Sequence, residues 1–517
     1  MTSSSPHGWP SCGHEAGIAT DSVGCRGRRL PGRIACLAHV SEGERSDYFS
    51  TLSSGADIDH RGTPFTEQLL TDLLGALTVP AGPPRLGHAL FDRAEFSDDV
   101  RFDGVEFSGD AHFDETEFRG EVHFDGAIFS GNIHFNGAGF SGDAWFRRAV
   151  FERAVVVGPL RCTGMLDLSE AVFGSPVTIE AAAASVRCRR TQWVSTAVLR
   201  LRHAAVDLSD AVLEHPVTLA SASRPFTERN GFQLAEPNLP VRQVRVMSLR
   251  GVDAAHLVLS DIDLSECRFA GTIHLDQLRL EGRYRLAATP SGLRRRGMWP
   301  VRWTPRRTMA EEHYWRAARR VGAEGWSPAP EGEEVLMPTA LAPVYRQLRK
   351  AFEDGKHEPG AADFYYGEME MRRHADDIPW GERSLLTVYW LLSGYGMRAS
   401  RAFGWLLLAM MTTVLAMMLW GLPQSDIKSA HTGTLTGRIM TMTTETPDPV
   451  NPNGSYPTRL STERFDKSLR VVLNSVIFRS SGQDLTTTGT YVEMASRLSE
   501  PVLLGLAVVG IRSRVKR

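Results

Sequence analysis

The sequence lacks an excess of charge of either sign. Its 58 lysines and arginines nearly balance 60 aspartates and glutamates, so the net charge indicates no class of partner. Charge is instead uneven along the chain. Residues 91–140 hold 12 acidic and 3 basic side chains, whereas residues 283–307 hold 8 arginines and no carboxylate. Such local asymmetry is typical of surfaces that bind a partner or a membrane.

Catalytic motifs are also absent. The sequence contains no Gly-x-Gly-x-x-Gly opening a βαβ unit, no Cys-x-x-Cys pair and no nucleophile elbow. Its first residues lack the basic and apolar segments of a signal peptide, which favours a reducing cytoplasmic location for the N-terminal part. We therefore expect a protein that is not an enzyme.

Cysteine is scarce, and the six residues fall into two groups. Cys162, Cys188 and Cys267 stand singly in apolar segments and are typical of small core residues. Zinc favours a tetrahedral set of thiolates and imidazoles, and a segment without a core of its own gains folding free energy from it. The long gap from Cys12 to Cys25 matches no standard zinc-finger spacing, so free cysteines in a loose tail are the alternative to a structural zinc. The candidate ligands are Cys12, Cys25, Cys36 and His39.

Phenylalanine recurs between residues 91 and 151 in steps that alternate between five and six residues. This spacing would not place the phenylalanines on one face of an α-helix, nor on one face of a flat strand. It fits a coil with a corner after each short segment, in which equivalent side chains point inward and stack in ladders. Glycines recur every eleven residues at 109, 120, 131 and 142, and we expect them at corners that need a positive φ. The predicted core residues are Phe102, Phe113, Phe124, Phe135 and Phe146.

Units such as Phe-Asp-Gly-Val-Glu-Phe (102–107) and Phe-Asn-Gly-Ala-Gly-Phe (135–140) resemble the pentapeptide-repeat family. The resemblance implies a mainly β fold, a right-handed, four-sided parallel β-helix with two eleven-residue pairs in each coil. Weaker copies of the pattern at 166–169, 206–209 and 262–265 predict a less regular continuation to about Arg285, with loops inserted near residues 224–240.

Three histidines lie at the same eleven-residue spacing, each just before an inward phenylalanine: His112, His123 and His134. One interpretation is a stacked imidazole ladder that binds metal or senses pH. The other is drift of the repeat on an exposed face, which needs no function.

A linker rich in proline and arginine follows the predicted β-helix. Arginine meets lipid phosphate and tryptophan favours the membrane interface, so this stretch predicts contact with anionic phospholipid. Nucleic acid or plain solvent would also suit it. Helical spacing then predicts an αα-hairpin from residues 342–354 and 361–373, with its turn at residues 358–360. The residues expected to contact lipid in the linker are Arg294, Arg295, Arg296, Trp299 and Trp303.

The run Phe403–Leu422 contains 20 residues and no charge, which is long enough to span a bilayer as a helix. A second run, 491–511, includes charged residues and either spans or lies in the interface. The basic C-terminal tail favours two spans with the repeat domain in the cytoplasm. We expect basic and aromatic residues at the ends of the first span to lie at the membrane interface, and we call them the collar residues. They are Arg398, Arg401, Trp405 and Trp420.

These patterns divide the chain into six segments. They are an N-terminal Cys/His segment (1–45), a short helical cap (46–85), the pentapeptide-type β-helix (86–285), an Arg/Pro-rich linker (286–340), the αα-hairpin with a juxtamembrane helix (341–400) and a membrane region (401–517) with one or two spans (403–422 and, in the two-span case, 491–511).

The order of repeats, the segments 361–374 and 393–396, and the C-terminal apolar run resembles membrane proteins of actinobacterial type. Our interpretation is a membrane-anchored scaffold that presents the repeats to an unidentified cytoplasmic protein. Some such proteins resemble two-span ion channels, and others are labelled oxidoreductases, so both are alternatives. Thr486–Tyr491 has a faint likeness to a potassium filter but lacks its Gly-Tyr-Gly core. Nucleic acid is not an expected partner, because the acidity of the repeats fades after Asp125 and a membrane anchor does not suit a nucleoid target.

Overall fold

The computed structural model describes residues 8–14, 24–80, 82–296, 298–319, 324–424, 430–436, 439–445, 449–478 and 485–515. The chain divides into two compact units, Met1–Glu368 and Met369–Arg517. The first contains a parallel β-solenoid with flanking helices, and the second is mainly helical. The predicted order of a β-helix followed by a helical hairpin and apolar C-terminal helices is confirmed, and the solenoid has about nine turns.

Each regular coil of the solenoid takes 22 residues and has four short sides. Val100 pairs with Val122, and Val122 with Ala144, in parallel register, as two eleven-residue pairs per coil require. Every side is a two-residue strand that is hydrogen-bonded only to the coils before and after it. The strands, side by side, are Ile58–Asp59, Ala89–Leu90, Ala111–His112 and Ile133–His134; Pro64–Phe65, Glu95–Phe96, Glu117–Phe118 and Gly139–Phe140; Val100–Arg101, Val122–His123 and Ala144–Trp145; and Arg85–Leu86, Glu106–Phe107, Ile128–Phe129, Val150–Phe151, Val172–Phe173, Gln192–Trp193 and Val212–Leu213.

The later coils have longer strands and a shorter repeat. Val177 pairs with Ala197, so one coil takes 20 residues there. The last parallel strand pairs in antiparallel fashion with Arg307–Thr308, which ends the stack. The longer strands are Val156–Asp167, Val177–Arg187, Ala197–Arg202, Ala205–Asp207, Val217–Ser221, Arg245–Ser248, Leu257–Ser260, Asp263–Leu264, Arg279–Glu281 and Arg285–Ala288.

Helices flank the solenoid and form the second unit. The first coil strands lie between α1 and α2, inside the segment predicted to be a helical cap. Residues 358–360, expected to be the turn of the αα-hairpin, form the first turn of α5, because proline is tolerated at a helix N-terminus. The helices are α1 (Glu42–Thr51), α2 (Glu67–Ala76), α3 (Ala310–Ala318), α4 (Pro338–Asp354), α5 (Glu358–His374), α6 (Trp380–Ser393), α7 (Ala399–Ala416, continued as a π-helix to Gly421), α8 (Tyr456–Arg459), α9 (Thr462–Phe478) and α10 (Thr487–Val515). A β-hairpin of Ala430–Thr436 and Ile439–Glu445 belongs to the second unit.

Four ladders of stacked rings fill the regular part of the solenoid. Phe102 stacks on Phe124 with ring centroids 4.9 Å apart, and Phe124 on Phe146 at 4.8 Å. The five predicted core phenylalanines are at most 2% exposed. Offset ring stacking adds to the free energy of burying the apolar area. The other ladders are Phe91–Phe113–Phe135, Phe65–Phe96–Phe118–Phe140 and Phe107–Phe129–Phe151–Phe173–Trp193.

The glycines predicted at positive-φ corners do not have that role. Positive φ falls two residues after every second phenylalanine, at Arg93, Gly104, Glu115, Gly126, Gly137 and Arg148. Gly131 instead lies against the coil below, where a Cβ atom would stand 2.4 Å from the Gly109 carbonyl oxygen. These glycines are therefore explained by the close approach of two backbones and not by a left-handed turn.

A buried histidine begins one of the ring ladders. His60 is 0% exposed and lies below Phe91, and its Nε2 is 3.2 Å from the Tyr48 hydroxyl. Burial lowers the pKa of His60 to about 4, because a charged imidazole would lose its hydration in the apolar coil.

Removing one ring from a ladder should destabilise the solenoid strongly. We expect Phe124→Ala to lower the free energy of unfolding by about 3–5 kcal/mol, since the cavity is enclosed by coils on both sides. Phe232→Ala is the matched control, because Phe232 is 74% exposed. Urea unfolding of the two variants measures the difference, and equal losses would contradict the ladder as the source of stability.

Stability should also depend on pH through His60. The unfolded imidazole titrates near pH 6.5 and the buried one near 4, so protons bind the unfolded chain more tightly between these values. Stability is complete above about pH 6.5 and falls by about 3 kcal/mol as the pH drops to 4. We expect His60→Phe to remove this part of the pH dependence in urea titrations, whereas a change at the exposed His215 should not.

Candidate functional site

Three cysteines and a histidine converge at the N-terminal end of the first unit. A small antiparallel hairpin carries two of the thiols, with Cys12 N–H donating to the Gly27 carbonyl at 2.7 Å. The other two side chains lie on one turn, in which the His39 N–H donates to the Cys36 carbonyl at 3.0 Å. Their four ligand atoms all lie within 4.8 Å of one another. The structure thus brings together the residues that the sequence proposed as ligands.

The separations between these ligand atoms match a tetrahedral metal site. The sulfurs of Cys25 and Cys36 are 3.8 Å apart, too far for a disulfide. The Nδ1 atom of His39 is 3.4 Å from the Cys36 sulfur and 3.7 Å from the Cys12 sulfur. Ordinary zinc–sulfur and zinc–nitrogen bond lengths in a tetrahedron place two sulfurs about 3.8 Å apart, and a sulfur and a nitrogen about 3.5 Å apart. Three of the six separations therefore agree with a tetrahedral metal site, and all six lie within 4.8 Å.

The surroundings of this group favour a thiolate at Cys25. The Gly27 N–H donates to the Cys25 sulfur at 3.4 Å, and a hydrogen bond from the Cys36 thiol lowers the pKa of Cys25 to about 5. The same hydrogen bond and burial raise the pKa of the Cys36 thiol. A Cβ atom at Gly27 would lie 2.8 Å from the Cys36 sulfur, so no larger residue fits there. Hydrogen bonds to ligand sulfurs are the usual outer support of a metal site.

The Cys/His segment is attached to the first coil of the solenoid. The Arg28 N–H donates to the Arg61 carbonyl at 2.8 Å, and its guanidinium pairs with Asp59. The Trp9 indole lies under the Arg61 guanidinium at 4.8 Å. The segment is therefore part of the solenoid's N-terminal end.

The three repeat histidines do not form one ladder. His112 stacks on His134 with centroids 4.5 Å apart, whereas His123 lies on another side and stacks on Trp145. Eleven residues are half a coil, so successive histidines face different sides. Each of these two sides carries a histidine close to two aspartates. The groups are Asp92–His112–Asp114 and Asp103–His123–Asp125.

The arginine-rich stretch divides into two parts. Leu293–Arg296 and Trp299–Arg302 form an antiparallel hairpin; the side chains of the predicted lipid-contact residues Arg294, Arg295, Arg296 and Trp299 lie outside the described residues. Trp303 is half-buried, with its ring 5.2 Å from that of Trp326 and the Arg316 guanidinium over its face. This packing makes Trp303 a poorer candidate for lipid contact than its sequence context indicated.

A buried ion-pair cluster was not anticipated from the sequence. Arg306 was counted among arginines without an acidic partner, but its guanidinium donates to both Glu312 oxygens, at 2.6 and 2.7 Å. Arg316 and the Tyr345 hydroxyl also donate to Glu312. The two guanidinium groups hold the pKa of Glu312 well below its usual range. The i to i+4 spacing of Glu312 and Arg316 was the signal available in the sequence.

The second unit contains two helices that are long and apolar enough to cross a membrane, Ala399–Gly421 and Thr487–Ile511. Near the start of the first, Arg401 donates to the Trp390 carbonyl and Trp405 to the Leu391 carbonyl. Arg398 is half-buried, and Trp420 lies at the other end, 44% exposed. The predicted collar residues therefore stand at both ends of this helix.

The segment likened to a potassium filter is helical from Thr487 onward. Its Gly489 lies against the Gly421 backbone, and the Thr486 hydroxyl donates to the Trp420 carbonyl at 2.7 Å. A helix keeps its carbonyls in intrahelical bonds, so Thr487–Tyr491 does not offer the row of carbonyl oxygens that a filter needs.

Comparison with known proteins agrees with the repeat geometry. Residues 91–139 match the family model described as pentapeptide repeats (9 copies). No curated protein matches the chain, and no solved structure does. The matched residues coincide with the coils in which the phenylalanine ladders are most regular. The chain therefore carries pentapeptide repeats, built into a β-solenoid and followed by two apolar helices long enough to cross a membrane.

Proposed function

We propose that the protein is a membrane-anchored, non-enzymatic scaffold whose solenoid offers its outer faces to a cytoplasmic protein. The observation that carries the proposal is the combination, in one chain, of a ring-filled solenoid and two apolar helices of membrane-spanning length. A solenoid packed with rings has its recognition chemistry on the outside, where side chains of successive coils form regular rows. The apolar helices supply the anchor.

The outer faces favour a protein partner with a basic surface. Residues 91–140 carry 12 acidic side chains, and Asp103, Asp125 and Asp114 belong to rows on two different sides. Anionic phospholipid is proposed as a second partner of the arginine hairpin Leu293–Arg302, since arginine binds lipid phosphate. The acidic rows disfavour nucleic acid, which they would repel.

Reconstitution into liposomes tests the scaffold against its alternatives. We expect the purified full chain to remain in the vesicles after an alkaline carbonate wash, because apolar helices keep it in the bilayer. Ion flux should equal that of empty vesicles, and nicotinamide or flavin turnover should be absent. A flux that depends on the protein would overturn the scaffold in favour of a channel, and turnover would establish an enzyme.

A two-span channel is the second candidate, and the position of α9 favours it. Val472 of this helix is fully buried against Val414 and Met418 of the first apolar helix. The same helix also contacts α10. A helix that contacts both apolar helices is compatible with a pore domain, in which a further helix packs against two spans. The flux measurement in liposomes discriminates between the two candidates.

A structural zinc ion is proposed for Cys12, Cys25, Cys36 and His39. The support is the agreement of three ligand separations with a tetrahedral site. Bound there, zinc would join the hairpin to the turn Cys36–His39 and so complete the N-terminal end of the solenoid.

Metal analysis tests the zinc proposal with two equally buried cysteines. Cys36 and Cys188 are both 0% exposed, but only Cys36 belongs to the cluster. We expect one zinc per chain in the wild type and in Cys188→Ala, and none in Cys36→Ala. A chelator should lower the stability of the wild type by about 4 kcal/mol if free zinc had stood at a thousand times its Kd. Equal zinc content in the two variants would contradict the site.

A further inference from the structure

A carboxyl group lies in the middle of the second apolar helix. Glu500 is near the midpoint of Thr487–Ile511 and is 0% exposed. Helix α10 packs antiparallel to the first apolar helix, with small residues in close contact at both ends. Gly489 lies against Gly421, and Gly510 against Ala399. Small residues let two membrane helices approach closely, so Glu500 is enclosed between them.

The hydrogen bonds around Glu500 fit a neutral carboxylic acid. Thr413 Oγ1 lies 2.9 Å from Glu500 Oε1 and 3.0 Å from the Ala409 carbonyl oxygen. A hydroxyl group has one hydrogen and cannot donate to both oxygens. Both contacts become hydrogen bonds if the carboxyl donates its own proton to Thr413 and Thr413 donates to Ala409.

No cation among the described residues neutralises Glu500. Arg497, one turn earlier on the same helix, pairs with Glu493 at 2.7 Å. The charged side chains of the helices in contact with α10 have other partners: Glu382 with Arg372, Arg383 with the Ala375 carbonyl, Arg401 with the Trp390 carbonyl, Arg464 with carbonyls of residues 418–423, Lys467 with Glu463 and Arg470 with Asp466. The buried Oε2 atom of Glu500 has no hydrogen-bond partner in the part of the chain that the structure describes. An unpaired carboxylate in such surroundings is costly.

A proline follows the carboxyl group directly. Pro501 lies inside α10 and has no N–H, so the carbonyl of Arg497 lacks its ordinary intrahelical donor. The buried carboxyl group therefore lies in a stretch of the helix whose backbone hydrogen bonding is already interrupted.

We infer that Glu500 is a proton-binding site in the middle of the membrane, with Thr413 as the positioning residue that receives its hydrogen bond. The inference rests on the proposed membrane anchor and goes beyond it. An intramembrane carboxyl group that holds a proton between two helices is the chemical unit from which proton relays are built. The Thr413 hydroxyl oxygen, 2.9 Å from Glu500 Oε1, is its neighbouring oxygen on the first apolar helix.

Two measurements on the full chain in vesicles test the protonation state. Infrared spectroscopy at neutral pH should show the carbonyl band of a protonated carboxylic acid that Glu500→Gln removes and Glu493→Gln retains. Dicyclohexylcarbodiimide, which reacts with protonated carboxyls in membranes, should label Glu500 in the wild type and leave no label at this position in Glu500→Gln. The amide NH2 of glutamine can still donate to the Thr413 hydroxyl, so helix pairing should survive.

The role of Thr413 has a separate readout. Thr413→Val should shift the frequency of the Glu500 carbonyl band, because the hydrogen bond is lost, without abolishing the band. A merely structural threonine would leave the frequency unchanged and overturn its assignment as the positioning residue.

The outcomes separate this inference from the anchor itself. Vesicle-retained protein with neither the infrared band nor the carbodiimide label at Glu500 would overturn the proton site and leave the anchor intact. Extraction of the wild type by carbonate would overturn the anchor and with it the mid-membrane placement.

Discussion

Hydrogen bonding between successive coils is the constraint on which the solenoid depends. A strand of two residues, such as Val122–His123, is too short to be stable by itself, and it exists because Val100–Arg101 and Ala144–Trp145 pair with it on both sides. The same stacking places each ring on the ring of the next coil. Backbone pairing and ring ladders therefore reinforce one another, and the ladder positions favour flat aromatic side chains that can stack on the ring of the next coil.

A stack of coils has two open ends, and this chain covers them by different chemistry. At the N-terminal end, the Cys/His segment binds the first coil through the Arg28 N–H and the Arg61 carbonyl. At the other end, Glu311 accepts hydrogen bonds from the N–H groups of Phe269 and Ala270, at 2.6 and 2.9 Å. Unpaired strand edges invite aggregation, and these polar contacts cover the backbone groups that the stack leaves unpaired at its two ends.

The second unit satisfies its buried polar groups in a similar way. Arg464 donates to the carbonyls of Met418, Leu422 and Pro423, where the first apolar helix ends in a π-helical turn. Cationic groups favour the carbonyl end of a helix because of its dipole. Glu500 differs from these groups because its carboxyl group lies in the middle of a helix, away from the free carbonyl and N–H groups of a helix end. Binding a proton is the way to remove its negative charge there at a low cost in free energy.

The alternating phenylalanine spacing by itself determined the coil and its inward residues. The length and lack of charge of residues 403–422 determined a helix long enough to span a bilayer. Periodicity and length can both be read from the sequence because they are local properties of it. The four candidate metal ligands could also be named, but their tetrahedral separations come from a hairpin and a turn that meet only in three dimensions. Tertiary structure alone decided three other features. The repeat glycines meet a backbone 22 residues away in place of a corner, the histidines face different sides, and Arg306 finds Glu312 in a buried cluster that includes Tyr345. In each case the deciding contact joins residues that are brought together by the packing of coils and helices. The residue types along the chain do not show which residues will be close in space.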